Sequence, residues 1–272
     1  MRSFPLFSLV RPLLSSISTP QRHVALALLA SLLVLGMSAA PVAAQDAFIT
    51  TWETTSSDES ITIPTNGADV GDYDFTIDWG DGTTEDYSGS DPDPSHTYAS
   101  AGTHTVEITG TFPRLFLDAG PGGSGDATNA QKLQSIDQWG SIQWESMANA
   151  FAGAADMTYN ASDTPDLSNV TDMSFMFAGA ASFNGAIGDW DVSNVEKMFA
   201  TFGSQQDQDY AFNQDIGGWD VSQVDDMQAM FVGANNFNQD ISEWDVSGVK
   251  NMTSMFWGAS SFNQPIGEWT VS

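Results

Sequence analysis

Apolar and polar residues alternate along the first part of the chain that follows residue 45. Residues 73–79 read Tyr-Asp-Phe-Thr-Ile-Asp-Trp, and a period of two is typical of a strand with one buried face. The same alternation returns in segments that begin at Ile61 and His104. Asp81-Gly82 suits the tight turn of a hairpin. The pattern predicts a small all-β antiparallel sandwich over residues 45–112.

After residue 139 the pattern becomes a 25-residue repeat. Asn213-Gln214-Asp215-Ile216, followed by Trp219-Asp220-Val221-Ser222, returns almost unchanged 25 and 50 residues later. A period of this length is typical of a solenoid, in which each unit buries its apolar side against its neighbours. A polar insertion near residues 205–209 lengthens one unit to 29 residues. Upstream, the tryptophan position is held by Trp190, Pro165 and Trp139.

Within a unit the apolar spacing predicts a helix. Val224, Met227, Phe231 and Ala234 lie at i, i+3, i+7 and i+10, which places them on one helical face. Ser222 with Asp225 has the spacing of a capping box, and the preceding Phe-Asn-Gln-Asp-Ile segment is expected to be extended. Residues 140–272 are therefore predicted to be an α/β solenoid of strand, turn and short helix, with an incomplete last repeat.

A glycine-rich stretch separates the two patterns. Residues 120–125 read Gly-Pro-Gly-Gly-Ser-Gly, and they are flanked by strand-like segments at 112–118 and 132–139. Such a stretch is either a linker or a long hairpin loop. We expect a hairpin over residues 113–139 that forms the N-terminal cap of the solenoid.

Residues 1–44 have the layout of a signal peptide. Arg2, Arg11 and Arg22 precede an apolar run, and small residues lead to a cleavage site between Ala44 and Gln45. An uncleaved anchor is the alternative. No second long apolar run follows, so we expect no membrane span in the mature chain and a secreted or cell-surface location.

The remaining 228 residues are strongly acidic. They hold 35 acidic and four basic residues, a formal charge of −31, which argues against nucleic acid or an anionic membrane as a partner. Such a charge repels itself unless salt screens it, so we favour a protein of a salt-rich environment over a calcium-loaded one. The chain has no cysteine, so packing alone must stabilise it outside the cell.

Three motifs in the predicted sandwich resemble the PKD (polycystic-kidney-disease) family. They are Trp79-Gly80-Asp81-Gly82-Thr83, then His96-Thr97-Tyr98, and then Ala101-Gly102-Thr103-His104-Thr105-Val106. The resemblance implies an immunoglobulin-like spacer or binding module on an exported protein.

The repeats resemble the BspA-like leucine-rich-repeat surface proteins over residues 133–272. The resemblance is carried by the elements Asp-Val-Ser-x-Val and Met-x-x-Met-Phe-x-Gly-Ala, although Ile, Trp, Val, Met and Phe take the usual leucine positions. It implies a secreted or surface-displayed protein associated with adhesion or other binding.

Three columns of recurring side chains are candidates for structural or binding roles. Asparagines are expected to form an amide ladder between stacked units. Tryptophans are expected to stack in the core, or alternatively to form a strip that binds sugar. Aspartates would form a like-charge row that is solvated, caps the backbone or is bridged by cations. The members are Asn213, Asn238 and Asn263; Trp190, Trp219, Trp244 and Trp269; and Asp191, Asp220 and Asp245.

The sequence offers little for catalysis. After residue 44 the only histidines are His96 and His104, and there is no cysteine, GxSxG or HExxH motif. The acids recur with the repeat, whereas a catalytic carboxylate pair should be unique. We therefore expect no enzyme and no cofactor.

The favoured function is a non-catalytic exported surface protein that presents its solenoid for adhesion, to a surface protein or a polysaccharide. The alternatives are a structural spacer without a discrete ligand and, more remotely, a carbohydrate-active enzyme. A binding role predicts that the exposed residues differ between repeats. A spacer predicts nearly identical exposed faces, which is closer to what residues 213–272 show.

The last unit ends at Ser272, before the segment that would carry its Met-x-x-Met-Phe element. Because internal turns of a solenoid are apolar on both sides, we expect a truncated chain or, if it is complete, end-to-end self-association.

Overall fold

The computed structural model describes residues 46–120, 122–203 and 209–271. Residues 45–272 form one compact unit. The predicted signal peptide with its cleavage site at Ala44 and Gln45 lies outside the described residues, as does most of the polar insertion. In the part of the chain that the structure describes, none of the helices could span a lipid bilayer.

The regular elements are concentrated in the first half of the described chain, and almost all of them are strands. They are β1 (Phe48–Thr54), β2 (Glu59–Thr62), β3 (Tyr73–Asp78), β4 (Thr84–Gly89), β5 (Ser95–Tyr98), β6 (Gly102–Thr111), α1 (Ala127–Ala130), β7 (Leu133–Gln138) and β8 (Thr158–Tyr159), with a short 3₁₀ turn at Ile266–Glu268.

The predicted β-sandwich is confirmed. One sheet has the strand order β4-β3-β6-β1-β7-β8, and β2 pairs with β5 in a second sheet. In β3, Tyr73, Phe75 and Ile77 are buried whereas Asp74 and Asp78 are exposed, as the alternation requires. The aromatic and aliphatic side chains of this sandwich belong to the same hydrophobic core as those of the repeats.

The hairpin predicted over residues 113–139 is wrong. Residues 113–120 form no strand, and β7 pairs with β1 of the sandwich in an antiparallel register instead. One edge of β1 is free to pair with β7. The segment at 112–118 is a poorer partner for β7, because its proline donates no hydrogen bond. The sheet of the sandwich therefore continues directly into the first repeat.

Residues 113–120 cap the first repeat in another way. The backbone N–H of Ala119 donates to the carbonyl of Ala152 (3.2 Å), and the guanidinium of Arg114 donates to the carbonyl of Ala148 (3.2 Å). In later units, the equivalent carbonyls accept N–H groups from the preceding unit. This segment thus supplies donors where the first unit has no predecessor.

The helices predicted within the units are also wrong. In the unit that starts at Met227, alternate N–H groups donate to the next unit, at 2.8–2.9 Å, and the N–H groups of Met230 and Val232 between them donate three residues back within the unit. The donors to the next unit are Met227, Ala229, Phe231 and Gly233, and the acceptors are Asn251, Thr253, Met255 and Trp257. An α-helix would keep all of these bonds within the segment. Each unit is instead a run of tight turns.

A residue with positive φ in every unit forces this turn path. Ala229 has a φ of 55°, in the left-handed region that breaks an α-helix and that the third position of a type II turn requires. The equivalent residues do the same, namely Asn149, Phe175, Ala200 and Ser254. A turn that closes every three residues buries side chains at nearly the same spacing as a helix, so the apolar pattern is similar for both.

Aromatic ladders run through the repeats and join their cores. The ring centroids of Phe177, Phe202, Phe231 and Phe256 follow one another at 5.6–5.7 Å with nearly parallel planes. A second ladder passes through Phe237, whose ring is 4.1 Å from that of Phe231. We call this assembly of residues 133–271 the repeat stack.

Candidate binding face of the repeat stack

The asparagine column connects neighbouring units. Asn238 N–H donates to Oδ1 of Asn213 (2.9 Å), and Asn263 N–H donates to Oδ1 of Asn238 (2.8 Å). Gln239 adds a bond from Nε2 to the carbonyl of Asn213 (2.8 Å). These amides hold the chain where it bends, and their acceptors are already used within the molecule.

The tryptophan column lies in the core. Trp190, Trp219 and Trp244 are buried and Trp269 is half-buried. The indole Nε1 of Trp244 donates to the carbonyl of Ile216 (3.1 Å), which belongs to the preceding unit, and Trp219 bonds Ile187 in the same way. A buried indole whose N–H is satisfied by the backbone offers no flat ring to a sugar.

The aspartate column caps turns. Asp191, Asp220 and Asp245 each accept the backbone N–H of the serine two residues on, at 3.0–3.1 Å. Hydrogen bonds from these serines hold the pKa of each carboxyl below its usual value. Asp215 and Asp240 form the same local bond, so the acids recur because the turns recur. Among the described residues, no group of three or more His, Asp or Glu side chains has an arrangement that could hold a metal ion.

The two histidines of the sandwich belong to a packed polar cluster. His96 Nε2 lies 2.8 Å from Oδ2 of Asp81, and its ring stacks on Trp79 with centroids 5.2 Å apart. The hydrogen bond with His96 is the main reason that the pKa of Asp81 is lowered to about 2. His104 Nε2 lies 2.8 Å from Thr54 Oγ1, and burial lowers the pKa of this histidine. Both rings contact Tyr98, and the cluster holds the sandwich together.

A groove of about 370 Å³ crosses four units of the repeat stack. Its floor consists of small residues, and aromatic side chains lie at its two ends. It is lined by Phe175, Ala178, Phe199, Ala200, Gly203, Gln228, Ala229, Val232, Ser254 and Trp257. Concave, mainly apolar surfaces of this size are where proteins usually bind ligands.

The groove is built from positions that vary between units. Every unit has a buried or half-buried methionine, Met147, Met173, Met198, Met227 or Met252, and a phenylalanine four residues later. All ten lining residues are the first, second or fifth residue after that methionine. The first position reads Ala, Ser, Phe, Gln and Thr along the stack, the second reads Asn, Phe, Ala, Ala and Ser, and the fifth reads Ala, Ala, Gly, Val and Trp. We call these three columns the variable face.

Two aromatic residues on the variable face are poorly explained by packing. Trp257 is 69% exposed, one of two large apolar side chains that the described residues leave exposed. Phe175 is half-buried and has the positive φ (58°) that recurs at this position in every unit, a conformation that is costly for a bulky residue. Its ring lies edge-on to Phe199 at 4.6 Å. Exposed aromatics and backbone strain concentrate at binding sites.

The sequence patterns did not predict this groove. The candidates were the recurring columns of asparagine, tryptophan and aspartate, which the structure places in structural roles. The sequence feature that marks the groove is a set of positions that change between units while neighbouring positions stay constant.

Comparison with known proteins identifies both halves of the chain. A PKD domain model matches residues 50–113, which confirms the first resemblance, and PKD domains are typically extracellular. The model of a family described as "Mycoplasma protein of unknown function, DUF285" matches residues 125–210 and 205–272. These matches do not show the resemblance to BspA-like repeats. No curated protein and no solved structure matches the chain. Because the repeat matches span more than half of its length, the chain belongs to the DUF285 family and carries a PKD domain ahead of the repeats.

Proposed function

We propose that this protein is a non-catalytic, exported surface protein whose repeat stack is a BspA-like solenoid that mediates adhesion by binding another molecule. The PKD domain and the DUF285 repeats are consistent with an extracellular surface protein. In this proposal the sandwich shields the first repeat and spaces the stack from its attachment point, and the variable face makes the contact.

The observation that carries the proposal is the distribution of variation between units. Buried and capping columns repeat, including the methionines, the phenylalanines and the Asp-Val-Ser turns. The variable face differs from unit to unit and contains the groove. A spacer needs only the constant columns, because they hold the stack together. A binding surface needs different side chains at different points of its length.

Retention on immobilised ligands tests the proposal. The purified protein is passed over polysaccharides and surface proteins from cells of its source, beside a variant with Phe199→Ala and Trp257→Ala. We expect saturable retention on at least one ligand, and at least about tenfold weaker retention of the variant, since aromatic anchors dominate binding energy. A variant with Val271→Ala, which removes another exposed apolar side chain outside the groove, serves as the matched control.

If the protein is retained on none of the ligands, or if the double variant is retained as strongly as the unchanged protein, the proposal is contradicted and a structural spacer is favoured. Release of sugars from any polysaccharide in the panel contradicts its non-catalytic part.

A further inference from the structure

The lining of the groove fits an apolar side chain better than a sugar. Among the described residues that line it, Gln228 and Ser254 contribute the polar side chains, and Gln228 Oε1 already accepts a bond from Asn251 (2.7 Å). The backbone carbonyls of Phe175, Ala200 and Ala229 accept N–H groups of their own turns. Hydroxyl groups of a sugar would lose water here without gaining partners, which costs free energy. An occupant must therefore present mainly apolar surface.

One rim of the groove carries an acidic side chain that pairs with none of the described basic residues. The residue before each repeated methionine lies beside the variable face, and in successive units it is Asp172, Lys197, Asp226 and Asn251. Lys197 is 3.7 Å from Asp172, and Lys250 pairs with Asp225 at 2.8 Å. Asp226 is in none of the ion pairs found among the described residues. Its Oδ1 accepts the N–H of Gln228, which places the carboxylate next to the groove.

The charge of the whole molecule favours the same kind of occupant. With 35 acidic and four basic residues after residue 44, the chain attracts cationic partners and repels a second copy of itself. An apolar groove beside an unpaired carboxylate is complementary to a large apolar side chain that has a basic residue near it.

We propose that the groove binds an extended segment of a partner protein, in which an aromatic or large aliphatic side chain contacts Trp257 and a nearby lysine or arginine pairs with Asp226. This inference rests on the proposed function and specifies its ligand class. Trp257 provides the apolar anchor, and Asp226 sets the preference for a basic neighbour.

A synthetic peptide tests this directly. The probe is Gly-Lys-Gly-Trp-Gly-Lys-Gly with blocked ends and a neutral dye, titrated with the purified protein by fluorescence anisotropy at about 0.1 M NaCl, where charges at the surface are only partly screened. We expect saturable binding with a Kd below about 1 mM. Peptides with Trp replaced by Ala, or with both Lys replaced by Glu, should bind at least about tenfold more weakly.

Two protein variants separate the two contacts. Trp257→Ala should weaken peptide binding at least about tenfold. Asp226→Asn should weaken it about three- to tenfold and reduce its salt dependence. Asparagine preserves the local turn, since Asn251 forms the same bond to Thr253 in the next unit. Val271→Ala and Asp240→Asn are the matched controls, and both should bind within about twofold of the unchanged protein because their side chains lie outside the groove.

The inference is overturned if the peptide shows no saturable binding up to about 1 mM. It is also overturned if Trp257→Ala binds the peptide as well as the unchanged protein does, or if the Glu peptide binds as well as the Lys peptide. A dimer in sedimentation that Trp257→Ala abolishes overturns it too, because the groove is then occupied by a second copy. If the peptide does not bind but the protein is retained on a polysaccharide, and Trp257→Ala abolishes that retention, the proposed binding function holds and only this ligand class is wrong.

Discussion

At the scale of single residues, tryptophans of the same repeat family have opposite environments. Trp244 is 4% exposed, and its indole N–H bonds a carbonyl of the preceding unit. Trp257 is 69% exposed and lines the groove. The first residue therefore contributes to stability and the second is available for binding.

Replacement of each tryptophan by alanine should separate these roles. Trp244→Ala should lower the free energy of unfolding by roughly 3–5 kcal/mol, because it leaves a large cavity and an unpaired carbonyl. Trp257→Ala should change it by less than about 0.5 kcal/mol, because an exposed side chain buries little surface. Urea unfolding followed by circular dichroism measures both. Similar losses for the two variants would contradict these assignments.

Arg114 is a second residue with a specific role. Its side chain is 8% exposed, it donates to the carbonyls of Ala68 and Ala148, and it lies over the ring of Phe116 at 4.3 Å. It therefore connects the sandwich to the first repeat. Burial lowers the pKa of the guanidinium.

Arg114→Met keeps the side-chain bulk but leaves both carbonyls without this donor. We expect a loss of about 2–3 kcal/mol in the free energy of unfolding. Lys250→Met removes an exposed lysine that pairs with Asp225, and it should leave stability nearly unchanged. Thermal unfolding of the two variants is the measurement, and an unchanged melting temperature for Arg114→Met would show that the cap does not depend on this residue.

At the scale of elements, the tight turns replace the predicted helices. Ala229 has a positive φ and donates its N–H to Thr253 of the next unit, so this segment cannot be helical. Glycine adopts positive φ without strain, whereas a β-branched residue there is strongly disfavoured.

Ala229→Gly and Ala229→Val test the backbone path. In a helix, glycine would cost about 1 kcal/mol relative to alanine. In this turn, Ala229→Gly should leave the free energy of unfolding unchanged or raise it by up to about 1 kcal/mol. Ala229→Val should lower it by at least about 1 kcal/mol. If glycine destabilises and valine is tolerated, the segment is helical and the turn description is wrong.

These elements also show what the sequence could predict. Alternation in β3 predicted the strand because only a strand buries every second residue. The 25-residue period predicted stacking, because in a stack the equivalent residues of neighbouring units contact one another. The helix was mispredicted because tight turns and helices bury side chains at similar intervals along the chain. The sequence also does not reveal that alternate N–H groups donate to the next unit. The groove was missed because Phe175, Phe199 and Trp257 have no repeating pattern.

At the scale of the whole molecule, the acidic charge affects stability. Residues 45–272 carry a formal charge of −31, and their described salt bridges are few. Many of the acidic side chains accept hydrogen bonds from turns and so stabilise them locally, but their mutual repulsion is unfavourable.

Added salt should therefore stabilise the fold. We expect the melting temperature to rise between about 0.1 M and 2 M NaCl, because screening weakens the repulsion. Differential scanning calorimetry across this range is the measurement, and a flat melting temperature would contradict adaptation to a salty environment. Full stabilisation by micromolar calcium at low salt would favour the calcium-loaded alternative.

Site-specific photo-cross-linking on cells of the source tests whether the variable face is the binding surface. A photoreactive phenylalanine analogue replaces Trp257 in one form of the protein, Glu243 in a second and Val271 in a third. All three positions are exposed, and only the first lines the groove. We predict defined cross-linked products from position 257 alone. Products of equal yield from all three positions, or products from position 243 or 271 but not from 257, would contradict the claim.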